Sequence, residues 1–440
     1  MEKAGKRENG VTSVSATPAP AASPATARRS NPWVVLITFL LIYIFNYADR
    51  YLISGLVDPI KAEFGVGDQF MGLLMGPAFA ILYTTIAIPV ARLADRSSRI
   101  AIICTGCLIW SLFTGLSGLA TGPWTLALAR VGVGVGEAAF IAPAYSILSD
   151  YFRPERRGLA FAILGLAVYF GQITGYAVGP RIADAHDWRM AFFVMAVPGV
   201  LLSAIGWLLV REPARRQITT LANQIPLLPL TRKLVRTTAF FLMMIGMGLG
   251  TLSGVSFGFW GPTLFTRLYD LPLAQASSTF GLYFGIAGLS GTLLFGALAD
   301  RAARGGLHRP LLMAAGALFA ASVCIMLVTW SDDIALAKLL AIPAGLLGGG
   351  WSIGMMASLQ YLLPDRFRAT GTAIFIMVTT FLGFVVGPWA TGALSQYFGD
   401  GDMSLRWALT VVIPTGVVGA ALAWLAARHL EADRQRLAES

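Results

Sequence analysis

The chain has 440 residues, 56% of them hydrophobic and only 13% charged, with a mean hydropathy of +0.68. Soluble domains carry nearer 25% charged residues, so this balance excludes a soluble globular protein and implies a polytopic membrane protein. The net charge of +10 would suggest nucleic-acid binding in a soluble chain, but here the cations sit in short loops between apolar runs, where they act as topology signals.

Residues 1–31 are rich in Ala, Pro, Ser and Thr and lack an apolar core, which predicts a disordered tail, not a signal peptide. Twelve apolar runs follow, at about 33–57, 69–92, 100–120, 124–150, 157–181, 189–210, 237–266, 274–299, 309–330, 335–363, 369–397 and 405–428. Each is long enough to cross a hydrocarbon core of about 30 Å as a helix. Arginine and lysine crowd every second connection, at Arg28/Arg29, Arg92/Arg96/Arg99, Arg153/Arg156/Arg157, Arg211 to Arg236, Arg301/Arg304/Arg309, Arg366/Arg368 and Arg428. Because such residues stay in the cytoplasm, both termini are expected there.

The first half contains four ionisable residues inside membrane-length segments: Asp49 and Arg50 in span one, Arg130 and Glu137 in span four. A charge at the bilayer centre costs at least about 2.5–3.5 kcal/mol, so each needs a partner and marks a functional site. Neighbouring helical residues point about 100° apart, so Asp49 and Arg50 cannot satisfy each other. Arg130 and Glu137, seven residues apart, share one face of their helix. Cross-helix pairing is therefore expected, with Asp49 near Arg130 and Arg50 near Glu137, or the reverse partition in a different register. A carboxylate facing an arginine can act as a proton switch, because arginine stays charged while the carboxylate titrates. Protonation would free an arginine to bind an anionic headgroup, which would couple the two fluxes.

Cys104 and Cys107 lie in an apolar helix without other ligands nearby, and a packing role is expected for them; three cysteines give no disulfide framework. Gly132, Gly134 and Gly136 do not form a dinucleotide fingerprint, since Glu137 occupies the third glycine position and no strand precedes them. They suit close helix approach instead. His186, His308 and His429 fall in loops or the tail without metal-ligand spacing. No enzyme activity, metal, organic cofactor or nucleic-acid partner is expected, and no P-loop points to ATP.

The polar stretch 211–236 divides six spans from six, and the halves repeat. Ala91-Arg-Leu-Ala-Asp95-Arg96 matches Gly296-Ala-Leu-Ala-Asp300-Arg301 at a separation of 205 residues, and Arg157-Gly158 at the start of span five matches Thr370-Gly371 at the start of span eleven. A parallel repeat of two six-helix halves is the architecture of a secondary transporter that rocks about a central site. The expected organisation is a tail at 1–31, bundles at 32–210 and 237–428, a linker at 211–236 and a tail at 429–440. Asp95, Arg96, Arg157, Asp300 and Arg301 are expected to form a cytoplasmic gate, with each aspartate capping a helix start of the opposite half.

These repeated loop motifs, with Arg130 and the glycines of span four and the glycine-proline pattern of spans five and eleven, resemble the major facilitator superfamily over residues 33–428. The loop motif departs from the family at Ala91 and Ser98, where glycine is usual, and the second change is expected to loosen the turn. Asn46-Tyr47-Ala48-Asp49-Arg50-Tyr51, Gly132 to Ala138 and Asp187-Trp188-Arg189 resemble the spinster branch in particular, whose members are associated with export of sphingoid and lysophospholipid-like amphiphiles, several of them proton-coupled. The resemblance implies an all-α major facilitator fold of twelve helices with spans one, four, seven and ten around a cavity. One wall would be charged and the other apolar. Tyr47, Tyr145, Trp260, Tyr283, Phe284 and Trp351 are the candidate lining residues. The expected protein is a monomeric, proton-coupled transporter of amphipathic, lipid-like substrates in a plasma (inner) membrane. A multidrug or organic-anion exporter and an uncoupled facilitator are the alternatives.

Overall fold

The computed structural model describes residues 30–94, 96–213, 227–399 and 401–439. Twelve helices among them are long and apolar enough to span a membrane: Pro32–Gly55, Asp68–Ala94, Arg99–Gly118, Pro123–Tyr151, Pro154–Ala185, Trp188–Leu209, Thr238–Tyr269, Leu273–Ala303, Arg309–Thr329, Ile334–Leu362, Arg366–Tyr397 and Met403–Glu439. In hydrocarbon every backbone donor needs an internal acceptor, and the helix supplies it. Two shorter helices lie outside the spans, Val57–Phe64 after the first and Leu227–Arg236 before the seventh. The face carrying the arginine-rich connections is called the basic face below.

Local sequence sets the ends. Asn31 caps span one, its side chain accepting from Trp33 N at 2.9 Å, with Pro32 in the first turn. Gly65 ends the Val57–Phe64 helix at φ +62°, a left-handed conformation that favours glycine. Ser98 does not loosen its turn: it caps span three by accepting from Ala101 N at 3.2 Å, and its hydroxyl donates to Glu212 at 3.1 Å. A serine with ordinary extended dihedrals, φ −62° and ψ 118°, needs no glycine there.

Several spans are interrupted. Span two breaks at Gly76, ahead of Pro77, and spans eight and eleven contain π-turns at Gly281–Gly285 and Phe381–Val386. The second π-turn runs directly into Gly387-Pro388, where a missing N–H and a bulky ring prevent a regular α-turn. The last span has no break at residue 428. Its helix continues from Pro414 to Glu439, burying Leu430, Asp433 and Leu437, so residues 429–439 pack on the basic face instead of forming a tail.

Each half has its own apolar core. One contains Phe39, Ile103, Trp110, Phe140 and Ile147, and the other contains Phe240, Met243, Leu318, Met355 and Phe375. A third core joins the halves on the face opposite the basic one, through Leu52, Leu56, Met71, Tyr176, Phe257, Trp260, Phe265 and Phe280. Glycines set the closest helix contacts: a Cβ on Gly175 of span five would lie 2.6 Å from the Ala48 carbonyl oxygen of span one. Cys104 and Cys107 are buried and free at the contact of spans three and six, where Ser203 Oγ donates to the Cys104 carbonyl at 2.7 Å and Cys107 Sγ to that of Gly199 at 3.2 Å.

Candidate transport site

Span one turns Asp49 and Arg50 towards span four, and all four charged side chains are buried, with 1–5% of their surface exposed. Arg50 Nη2 donates to Glu137 Oε2 at 2.6 Å, and Arg130 Nη1 to Asp49 Oδ2 at 3.3 Å. The two-turn separation of Arg130 and Glu137 allows both pairs at once. The glycines around them bring the neighbours in: a Cβ on Gly134 would lie 2.5 Å from the Phe79 carbonyl oxygen, so span two closes over this side of the cluster.

The cluster is incompletely satisfied. Asp49 Oδ1, Glu137 Oε1, Arg50 Nε, Arg130 Nε and Asn46 Nδ2 are buried and make no hydrogen bond among the described residues. The Arg50 guanidinium lies 4.7 Å from the Tyr47 ring centroid, 4.5 Å from Phe79, 5.0 Å from Tyr83 and 5.7 Å from Phe384. A desolvated cation over an aromatic face gains about 2 kcal/mol, so the cage holds Arg50 whichever state Glu137 adopts. Phe384 belongs to the π-turn of span eleven, which makes it the second half's contact with this charge.

Next to the cluster, a cavity of about 300 Å³ lies between the halves. Tyr51, Tyr169 and Gln172 line it from the first half, and Phe284, Trp351 and Phe384, with Ser253, Ser322 and Ser352, from the second. Of the lining residues expected from sequence, Phe284 and Trp351 are on its wall. Tyr47 is half-buried against Arg50, Tyr145 is half-buried edge-on to Phe161, and Tyr283 packs on the joint core. Trp260 is elsewhere: it is fully buried and donates from Nε1 to the Pro388 carbonyl at 3.0 Å, because Gly392 leaves room for its ring between spans seven and eleven.

The gate expected from Asp95, Arg96, Arg157, Asp300 and Arg301 is not assembled on its Asp300 side. Asp300 and Arg301 are exposed and form no ion pair among the described residues, and Arg157 Nε donates within its own half, to Phe152 O at 3.2 Å. Arg96 is exposed, and Asp95 lies outside the described residues. The ordered charges of that face are different ones. Arg99 binds Asp150 and Glu212, each at 2.7 Å, and Glu212 also accepts from Ile100 N at 3.0 Å, which ties the start of span three to the ends of spans four and six.

The opposite face carries a lock of ion pairs between the halves. Arg267, at the end of span seven, donates to Asp58 at 2.8 Å and to both oxygens of Asp68 at 2.8 Å. Asp68, fully buried, also takes Lys61 Nζ at 2.5 Å and Ser395 Oγ at 2.6 Å. Tyr176 donates to the Gly258 carbonyl, Thr263 to the Ser54 carbonyl at 3.3 Å, and Ala274 N to Asp184 at 2.9 Å. Each of these crosses from one half to the other. A smaller brace within the first half has Glu63 accepting from Arg189 at 2.5 Å and Trp188 at 2.6 Å; the Arg189 hydrogen bond holds the Glu63 carboxyl below its ordinary value. The sequence signal for the lock was Arg267 itself, a cation in a connection that otherwise carries Asp270.

The sequence profile of the Major Facilitator Superfamily matches residues 39–382. Protein spinster homolog 1 of Homo sapiens is 30% identical over 435 residues, covering 91% of this chain and 82% of that protein. An MFS-type efflux pump of Mycolicibacterium smegmatis is 29% identical over 416 residues, covering 91% of this chain and 94% of the pump. The crystal structure of a bacterial homolog to the human lysosomal transporter spinster, in an inward-facing and unoccupied conformation, superposes with a TM-score of 0.80 at 23% identity, covering 92% of this chain and 98% of that one.

Proposed function

The chain belongs to the major facilitator superfamily as a spinster-like transporter, and from that premise we propose that it moves amphipathic, lipid-like molecules by proton-coupled alternating access. The observation that carries the reading is the buried Arg50–Glu137 pair in a cage closed by Phe384 of the other half. A static buried pair is no better for stability than apolar residues of equal volume, so four buried charges with orphaned atoms fit a working site. Protonating Glu137 or Asp49 leaves an arginine uncompensated, and a headgroup phosphate then replaces the carboxylate on it. Deprotonation returns the carboxylate and expels the headgroup. The neighbouring cavity, with aromatic rings and a few hydroxyls, suits the apolar portion of such a substrate. In this reading the basic face is cytoplasmic, both termini with it, in a plasma (inner) membrane, and the protein works as a monomer.

A second reading, efflux of small organic molecules, is favoured by the modest volume of about 300 Å³ and by the name of the mycobacterial relative. Proteoliposomes loaded with a fluorescent lysolipid or a small cationic dye, with and without an imposed pH gradient, separate the two. Gradient-driven lysolipid flux that disappears in Glu137→Gln is expected. Dye flux alone would give the exporter reading, and lysolipid flux indifferent to the gradient would reduce the cluster to a binding site in a facilitator.

A further inference from the structure

A second cavity, of about 890 Å³, lies on the basic face, away from the transport site. The Leu227–Arg236 helix is anchored in the second half's core by Leu230 and Leu234, which are 4% and 0% exposed. That anchoring leaves Arg232 and Arg236, one helical turn apart, on the exposed side. The extension of span twelve brings Arg436 and Leu437 to the same cavity, and the start of span seven contributes Thr237 and Thr238.

The charge balance is one-sided. Among the described residues, Arg232, Lys233, Arg236 and Arg436 line the cavity against one carboxylate, Asp433. That carboxylate is already engaged, accepting from Ala239 N at 2.8 Å and pairing with Arg436 at 3.5 Å. Lys233 lies 4.9 Å from the Phe367 ring centroid. Arg232 and Arg236 form no ion pair among the described residues. Pro229, Val235 and Leu437 supply an apolar wall. Thr238 is the first residue of a membrane span, so the cavity sits at the depth of lipid headgroups.

We propose that this cavity binds the headgroup of an anionic phospholipid from the leaflet on the basic face. Arginine matches phosphate with a planar fork of donors, and the Thr238 hydroxyl at the rim donates to a remaining oxygen; that of Thr237 is already given to the Lys233 carbonyl at 3.1 Å. The apolar wall meets the glycerol end of the lipid, a contact that free phosphate would not make. The bound lipid joins the Leu227–Arg236 helix, the start of span seven and the C-terminal helix. This proposal is independent of which substrate is carried.

The test is to titrate phosphatidylglycerol into the detergent-purified full-length chain and count bound lipid by native mass spectrometry, with phosphatidylcholine and inorganic phosphate as parallel titrants. One phosphatidylglycerol is expected to bind in preference to phosphatidylcholine. Its affinity should fall about thirty-fold in Arg232→Gln/Arg236→Gln, the loss expected for two interfacial cations, and largely return in Arg232→Lys/Arg236→Lys. Arg304→Gln/Arg434→Gln, which removes two exposed cations of the same face outside the cavity, should bind as the wild type. Melting curves establish that each variant is folded. Equal loss in both double variants would overturn the site in favour of diffuse surface attraction. Retained affinity in Arg232→Gln/Arg236→Gln would also overturn it, and displacement of the lipid by inorganic phosphate would make it a soluble-anion site.

Discussion

Arg50 and Arg267 are both buried guanidiniums held by carboxylates, yet they serve different parts of the molecule. Arg50 pairs with Glu137 inside the first half, so its ion pair does not join the two halves, and its ring contact with the second half among the described residues is Phe384. Arg267 reaches from the second half to Asp58 and Asp68 of the first, so its ion pairs are part of the interface. The difference teaches where charge can change and where it cannot. Under the proposed function a carboxylate in the first cluster takes up a proton while the architecture persists, whereas loss of charge in the second is expected to unseal a face.

The largest expected effect therefore comes from Arg267→Gln. Removing one partner of a buried pair costs about 3–5 kcal/mol, and the cost is expected to fall on the sealed state, in which Asp68 is fully buried. In a background free of Cys104, Cys107 and Cys324, a Ser54→Cys probe, buried on the sealed face, should react with an impermeant maleimide about a hundredfold faster or more when Arg267 is replaced. An unchanged rate would break the comparison by showing that the apolar core seals that face alone.

Glu137→Gln is next. Proton-driven flux should drop at least about tenfold, as for loss of a group that transfers a proton in each cycle. The Ser54→Cys probe should meanwhile change far less than with Arg267→Gln. A large labelling change would mean that the two arginines are not separate devices. Tyr176→Phe removes the hydroxyl donated to the Gly258 carbonyl across the seal, worth about 1 kcal/mol, and should speed labelling about fivefold.

The smallest effect belongs to Glu63, whose partner Arg189 lies in the same half. Its carboxyl titrates below the ordinary value, so the pair stabilises the fold above about pH 4.5 and is lost as pH falls beneath that. The pair is partly exposed and worth at most about 0.5 kcal/mol, so Glu63→Gln should melt within about 2 °C of the wild type at pH 7, with the gap narrowing below about pH 4.5 and closing as the pH falls through the lowered folded value. A larger gap would make this brace part of the seal.

The fold was legible because a bilayer tolerates few solutions: apolar length and loop charge place twelve spans and two halves. Helical spacing and the number of buried charges narrow the pairing to two partitions, of which the structure has Asp49 with Arg130 and Arg50 with Glu137. The lock was hidden because Arg267 meets its partners across 209 and 199 residues of sequence, and nothing local distinguishes Asp58 and Asp68 from ordinary loop charges. Trp260 was misplaced for a similar reason. An aromatic residue on a span reads alike whether it faces a cavity or a neighbouring glycine. The helical nature of residues 429–439 was legible in Leu430 and Leu437, one heptad apart, but apolar length alone does not register an amphipathic extension.

That extension has a practical consequence. Because the helix runs unbroken from Pro414 to Glu439, a second helical protein fused in register after Glu439 would be joined through a stiff rod and not a loose tether. Its orientation relative to the bundle would be fixed, which gives this largely bilayer-embedded molecule an external landmark for single-particle imaging.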